Sequence, residues 1–156
     1  MKAIFPGSFD PFTIGHLDIV ARALKGVNEV VIAFGINPAK HNATDVEEKV
    51  RYIEALFAEC PRVSVLAYTG LTIDAARRVG AQLIVRGFRN AADADYERSL
   101  ALTNLLVSDN EIDTWLIPAR PELECISSSM VRELRHFNHP IEQYLPSHED
   151  CTRLCS

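Results

Sequence analysis

A histidine, a lysine, two arginines and a run of three serines stand just beyond apolar stretches of this chain, and each of these groups can hold a phosphate. The densest case is the first sixteen residues, M-K-A-I-F-P-G-S-F-D-P-F-T-I-G-H. There an apolar strand (Ala3, Ile4, Phe5) runs into a turn at Pro6-Gly7-Ser8, and a helix begins near Thr13 with Gly15 and His16 in its first turn. The N–H groups at a helix start are unpaired and carry partial positive charge, which suits an anion. Glycine lets a phosphate approach the backbone closely, and an imidazole can donate a hydrogen bond to its oxygens.

The same chemistry recurs downstream. Lys40 follows Asn37-Pro38-Ala39, and Arg86-Gly87-Phe88-Arg89 follows a short apolar run, where two guanidinium groups about a glycine suit a bidentate grip on phosphate. Ser127-Ser128-Ser129 precedes a helical period and offers several hydroxyl and N–H donors together. Taken singly, each has a plain alternative. Gly7 reads as a turn residue, Lys40 as a solvated lysine, Thr72 as an N-cap, Glu97 as a residue of a solvated face and the serines as a helix cap. No serine or cysteine accompanies His16 in a recognisable nucleophile–base motif, so covalent catalysis has no support. What the residues offer is positioning and electrostatic stabilisation of a phosphoryl-type transfer.

The elements that must position these groups follow from the hydrophobic pattern. Apolar runs at Ala3–Phe5, Val30–Phe34, Val63–Tyr68, Leu83–Val85 and Trp115–Ile117 read as buried parallel strands. Between them lie helical periods. One is Leu17, Val20, Ala21, Leu24; a second is Val46, Val50, Ile53, Phe57, opened by the capping-box pattern Thr44-Asp45-Val46-Glu47. A third spans about Thr72 to Val79 and stops at Gly80, and a fourth spans about Asp93 to Val107, with Tyr96, Leu100, Thr103 and Val107 on one face. A fifth follows the serines, with Met130, Leu134 and Phe137 expected to face inward, and the tail from Ser147 is expected to form a short last helix. Five strands alternating with helices predict an α/β fold, a doubly wound, five-stranded parallel sheet of Rossmann-like type in one domain over residues 1–156. Ligands of such sheets bind beyond the carboxyl ends of the strands, where the cationic residues are placed. Positive charge concentrated on one edge of a chain whose net charge is −5 points to an anionic, phosphate-rich ligand and away from a general nucleic-acid binder. No apolar run approaches the ~20 residues of a membrane span, and the N-terminus lacks the pattern of a signal peptide, so a cytoplasmic location is expected. Cys60, Cys125, Cys151 and Cys155 lack recognisable metal-site spacing and are expected to be unpaired thiols.

Gly7-Ser8-Phe9-Asp10-Pro11 followed by Thr13-Ile14-Gly15-His16 resembles the signature of the nucleotidylyltransferase superfamily. With N-P-x-K, R-G-F-R, D-x-x-Y-E and I-S-S-S in order and spacing, the chain from Lys2 to about Pro146 resembles the bacterial phosphopantetheine adenylyltransferases. The resemblance implies transfer of the adenylyl group of ATP to 4′-phosphopantetheine, giving dephospho-coenzyme A and pyrophosphate, with Mg2+ bound alongside ATP and a homohexameric assembly. It implies that Ser8 and Phe9 touch ATP, Ser8 also facing the acceptor phosphate, and that His16 holds the α-phosphate. It places Lys40, Thr72 and Arg86 on the phosphopantetheine arm, with His16, Lys40 and Arg86 as the catalytic set. It lines the ATP site with Gly87, Phe88, Arg89 and Glu97, closed over by Leu123, Glu124, Cys125, Ile126, Ser127, Ser128 and Ser129. The chain departs from the family at Leu123-Glu124-Cys125, where an aromatic run is common. Related alternatives are a nicotinamide mononucleotide adenylyltransferase, a cytidylyltransferase, or a non-catalytic ATP-binding sensor on the same fold.

Overall fold

Strand β1 (Lys2–Gly7) forms the middle of a five-stranded sheet in the order β3-β2-β1-β4-β5, with β2 at Glu29–Gly35, β3 at Val63–Tyr68, β4 at Leu83–Phe88 and β5 at Asp113–Pro118. All neighbouring strands are parallel. The helices are α1 (Ile14–Ala23), α2 (Ala43–Leu56), α3 (Thr72–Val79), α4 (Ala91–Val107), α5 (Ser128–His136) and α6 (His148–Thr152). The structure, a computed structural model, describes residues 1–40 and 43–156.

Successive strand residues point to opposite faces, and the core divides accordingly. Ala3, Phe5, Val30, Ile32 and Phe34 pack against α1 (Ile19, Val20, Ala23) and α2 (Ile53, Leu56), with Cys151 of α6 beneath. Their neighbours Ile4, Val31 and Ala33 pack on the other face against Ile73, Ala75 and Ala76 of α3. Both faces are covered, which is why these strands read as continuous apolar runs rather than alternating ones.

The register decides where a ligand can enter. β1 pairs with β2 over six residues, from Lys2↔Glu29 to Gly7↔Phe34. Its pairing with β4 stops at Ile4↔Ile84. Beyond that point the carboxyl ends of β1 and β4 diverge, opening a crevice where the strand order reverses, as expected of a doubly wound sheet.

Five expectations need correction. Helix α2 begins at Ala43, so Thr44 lies inside it rather than at its cap, and the residue before the helix lies outside the described residues. Leu71 occupies the N-cap position of α3, so Thr72 is its first helical residue. Phe137 does not face inward: it is 72% exposed at the C-cap of α5, and Val131 is the buried residue of that helix. Cys60 and Cys155 are joined in a disulfide, because the last turn of the chain folds back onto the end of α2; Cys125 and Cys151 are free. On α4 the expected face is largely open, with Tyr96 65% exposed and the buried position taken by Glu97.

Candidate active site

The crevice between β1 and β4 is a cleft of about 380 Å3. Its walls come from the β1–α1 turn, the start of α1, the end of β4, the loop after β5 and the start of α5.

The β1–α1 turn is built on Phe9. Its φ of 43° is left-handed, uncommon for a bulky residue, and it lets the ring fold back under the strand end. There the ring packs edge-on against Phe5 (5.2 Å) and Phe34 (5.4 Å) and lies 5.5 Å from Phe12. A Cβ on Gly7 would sit 2.8 Å from that ring, which explains glycine at this position. Phe9 is therefore the floor of the turn: its ring is buried in the core and lines the cleft from below, while Ser8 stands exposed on the cleft.

His16 is set by the cap of α1. The Thr13 backbone N–H donates to His16 Nδ1 at 2.9 Å, the Thr13 hydroxyl lies 3.0 Å from the same nitrogen, and the Thr13 hydroxyl accepts from the His16 backbone N–H. A backbone N–H can only donate, so Nδ1 accepts and the ring proton sits on Nε2. Burial, followed by the charges of Arg86 and Arg89, pulls the His16 pKa down to about 4. Near neutral pH His16 is thus a neutral imidazole with one free donor, Nε2–H, on the cleft.

Arg86 spans the crevice. Its Nη1 donates to the Pro6 carbonyl at 2.6 Å, while Nε and Nη2 donate to the two carboxylate oxygens of Glu97 at 2.7 Å each. Burial disfavours the Arg86 charge, but the hydrogen bonds and negative charge of Glu97 more than offset this and raise its pKa. Glu97 does not line the cleft: both its oxygens are taken by Arg86, and the carboxylate is buried behind it. Gly87, Phe88 and Arg89 do line it, with Gly87 close against Ile19 of α1 and Arg89 paired to Asp93 at 3.3 Å.

The α5 end closes the cleft. Ser127 caps the helix by accepting from Met130 N–H at 3.1 Å, Ser128 donates to the Pro11 carbonyl at 2.8 Å, and the Ser129 hydroxyl lies 3.1 Å from that of Ser127. All three serines line the cleft, as do Leu123 and Ile126; Glu124 and Cys125 are exposed and turn away from it. Lys40 and Thr72 lie outside it as well. Lys40 ends an exposed turn, its N–H on the Asn37 carbonyl at 2.9 Å, and the Thr72 hydroxyl is 2.8 Å from the Tyr68 hydroxyl. They stand beyond β2 and β3, on the other half of the same sheet edge.

Three charged cleft residues go without a site role in the sequence reading, Asp93 among them although it opens the D-x-x-Y-E motif. Arg132 lines the cleft and donates to the Asp10 carbonyl at 2.6 Å. Its spacing was a usable signal, since a residue three beyond Ser129 on a helix shares its face. Asp18 lines the cleft and pairs with Arg22 (3.3 Å) and with Arg120 (2.8 Å), fixing the loop after β5 to α1. Asp93 is the third. The partner of Asp18 lies 102 residues away, a relation no local pattern carries.

Chemically, the cleft presents one neutral donor, three guanidinium groups, hydroxyls and a helix N-terminus, a surface for a polyphosphate. Among the described residues, no group of three His, Cys, Asp or Glu could hold a metal ion.

Residues 4–134 match the family model described as cytidylyltransferase-like. The chain is 46% identical over 145 residues to a phosphopantetheine adenylyltransferase of Bacteroides thetaiotaomicron, covering 93% of this chain and 95% of that one. It is 50% identical, over the same shares, to one of Phocaeicola vulgatus. The fold matches the crystal structure of a bifunctional NMN adenylyltransferase/ADP ribose pyrophosphatase from Francisella tularensis with a TM-score of 0.66 at 18% identity, covering 92% of this chain and 44% of that one.

Proposed function

The chain belongs to the cytidylyltransferase-like family and, within it, to the phosphopantetheine adenylyltransferases, and from that premise we propose that its cleft binds ATP and transfers the adenylyl group to 4′-phosphopantetheine. A phosphate oxygen of the acceptor attacks the α-phosphorus of ATP. The new P–O bond forms as the bond to the β-phosphate oxygen breaks, and pyrophosphate leaves. The acceptor is itself the nucleophile, so no protein nucleophile is required. The protein's work is to bring two anions together and to stabilise charge at the reacting phosphorus.

His16 carries this reading. A neutral imidazole on the cleft wall whose Nδ1 is engaged by Thr13 has Nε2–H left to donate. A donor of that kind stabilises charge on the α-phosphoryl oxygens without a proton changing hands. Arg86, held rigid by Glu97, and Lys40 would neutralise the acceptor phosphate, with Thr72 and Ser8 on the acceptor's path. Arg89, Arg132 and Ser127 to Ser129 would take the β- and γ-phosphates, and Gly87, Phe88, Leu123 and Ile126 would enclose the nucleoside. Asp93 and Asp18 are the carboxylates on the cleft wall, and both are engaged by arginines. Mg2+ would therefore enter with the triphosphate rather than on a site built from these carboxylates. When bound, it supplies charge neutralisation for the departing pyrophosphate.

The remaining readings stand on the same footing. Residues 1–156 form one nucleotidylyltransferase domain. A homohexamer is proposed because Tyr96, Leu102, Leu106 and Val107 leave apolar surface on α4 that a partner copy would cover. ATP as substrate argues for the cytoplasm, against which stands the Cys60–Cys155 disulfide, since reducing compartments keep thiols open. Mass spectrometry of a reaction containing ATP, Mg2+ and 4′-phosphopantetheine tests the activity. The expected product is dephospho-coenzyme A; unconsumed substrates, or ATP hydrolysis without transfer, would contradict it.

A further inference from the structure

The turn that carries Ser8 is gripped from two sides, and one grip lies outside the cleft. A left-handed backbone at a residue such as Phe9 persists only where its surroundings over-determine it. From the α5 side, Arg132 donates to the Asp10 carbonyl and Ser128 to the Pro11 carbonyl. From the α2 side, Lys49 Nζ lies 3.3 Å from Asp10 Oδ1. Lys49 is partly buried and borders a small depression with Ser8, Gly35 and Val46, behind the cleft and beside the end of β2. The turn ending in Lys40 leaves β2 at this point, and α2, which bears Lys49, is the next helix. The Lys49–Asp10 pair is thus a direct link between the half of the sheet edge that holds Lys40 and the turn that holds Ser8.

We propose that Lys49 is a positioning residue for the transfer: by pairing with Asp10 it fixes the Ser8–Asp10 turn against α2, so that Ser8 and Lys40 stay in register for one acceptor phosphate. A single half-exposed ion pair of this kind contributes little to global stability; its effect is on the geometry of the turn. Lys49 acts through Asp10 and does not itself bind the acceptor. The proposal rests on the adenylyl-transfer reading, so its test includes a measurement independent of turnover.

Full-length protein carrying Lys49→Gln, Asp10→Asn, both, or Lys49→Arg is compared with the parent by steady-state kinetics and by hydrogen exchange of the amides in residues 7–12. A misplaced turn should lower kcat/KM for 4′-phosphopantetheine about tenfold in either single variant, since small displacements of reacting groups carry large rate costs. The double variant should be no worse than the singles, Lys49→Arg should restore the parent value, exchange in 7–12 should quicken, and the melting temperature should hold. Loss in Lys49→Gln with a normal Asp10→Asn would make Lys49 a direct phosphate ligand and overturn the proposal. Additive losses, or unchanged kinetics and exchange, would overturn it equally. If the parent shows no turnover, the adenylyl-transfer reading fails, and the exchange rates alone decide whether the link exists.

Discussion

The two halves of the sheet's carboxyl edge are built differently. Around β1 and β4 the groups are already assembled: His16 is locked by Thr13, Arg86 by Glu97 and Pro6, and Ser128 by Pro11. Around β2 and β3, Lys40 sits on an exposed turn and Thr72 is half-buried at the start of α3, and neither reaches the cleft. The difference follows from register. β1 and β4 separate after two paired residues and leave a crevice to line, whereas β1, β2 and β3 stay paired along their length and leave only a surface. One half is preorganised for a polyphosphate; the other must be completed by the acceptor. Preorganised dipoles cost nothing to orient at the moment of reaction, so the cleft half should govern the chemical step and the open half the use of the acceptor.

The largest effect expected is at His16. His16→Ala should lower kcat by ~10²-fold or more, the scale of one donor to developing charge, with a smaller change in ATP affinity. Equal turnover in variant and parent would break the comparison. Protonation tests the same residue without mutation. The folded-state pKa of about 4 lies below the ordinary 6.5, so the unfolded chain binds the extra proton first as pH falls. The His16 contribution to stability is then full above pH 6.5 and is lost on the way down to about 4. Denaturant midpoints across that range should fall with pH in the parent and fall less steeply in His16→Gln.

Lys40→Ala should come next. Losing a charge-assisted contact removes ~1.5 kcal/mol or more, about tenfold, from acceptor use, while ATP binding holds. Calorimetry with each ligand separately would expose an equal loss for both, contrary to a split edge. Ser128→Ala with Ser129→Ala should weaken ATP by a comparable or smaller factor, since neutral hydrogen bonds are worth about 1 kcal/mol each. The smallest effect belongs to Leu123→Trp. Leu123 lines the cleft from a half-buried position, and a stacking partner there should change ATP affinity by less than ~1 kcal/mol. A tenfold gain would mean that the base, and not the phosphates, is read from this loop.

The sequence pattern made the sheet, the helix order and the cationic edge legible, because buried parallel strands and helix starts leave local marks. His16 and the serines were legible for the same reason: each stands at a helix N-terminus. Glu97 was placed on the ATP site by resemblance, whereas it faces Arg86 across 11 residues of sequence, a contact set by how α4 lies on β4. Phe9 lines the cleft, but its packing under the strand end was not legible, since its left-handed backbone sends the ring into the core. Phe137 followed the period of its helix but stands exposed at its C-cap, and the Cys60–Cys155 bond depends on a tail whose return to α2 no spacing encodes.

Pyrophosphate release, followed with ATP and Mg2+ across a panel of phosphorylated acceptors, tests the central claim most directly. The account predicts rapid release with 4′-phosphopantetheine, little with nicotinamide mononucleotide or choline phosphate, and loss of the 4′-phosphopantetheine signal in His16→Ala. Release at the same rate whatever the acceptor, or in its absence, would contradict it.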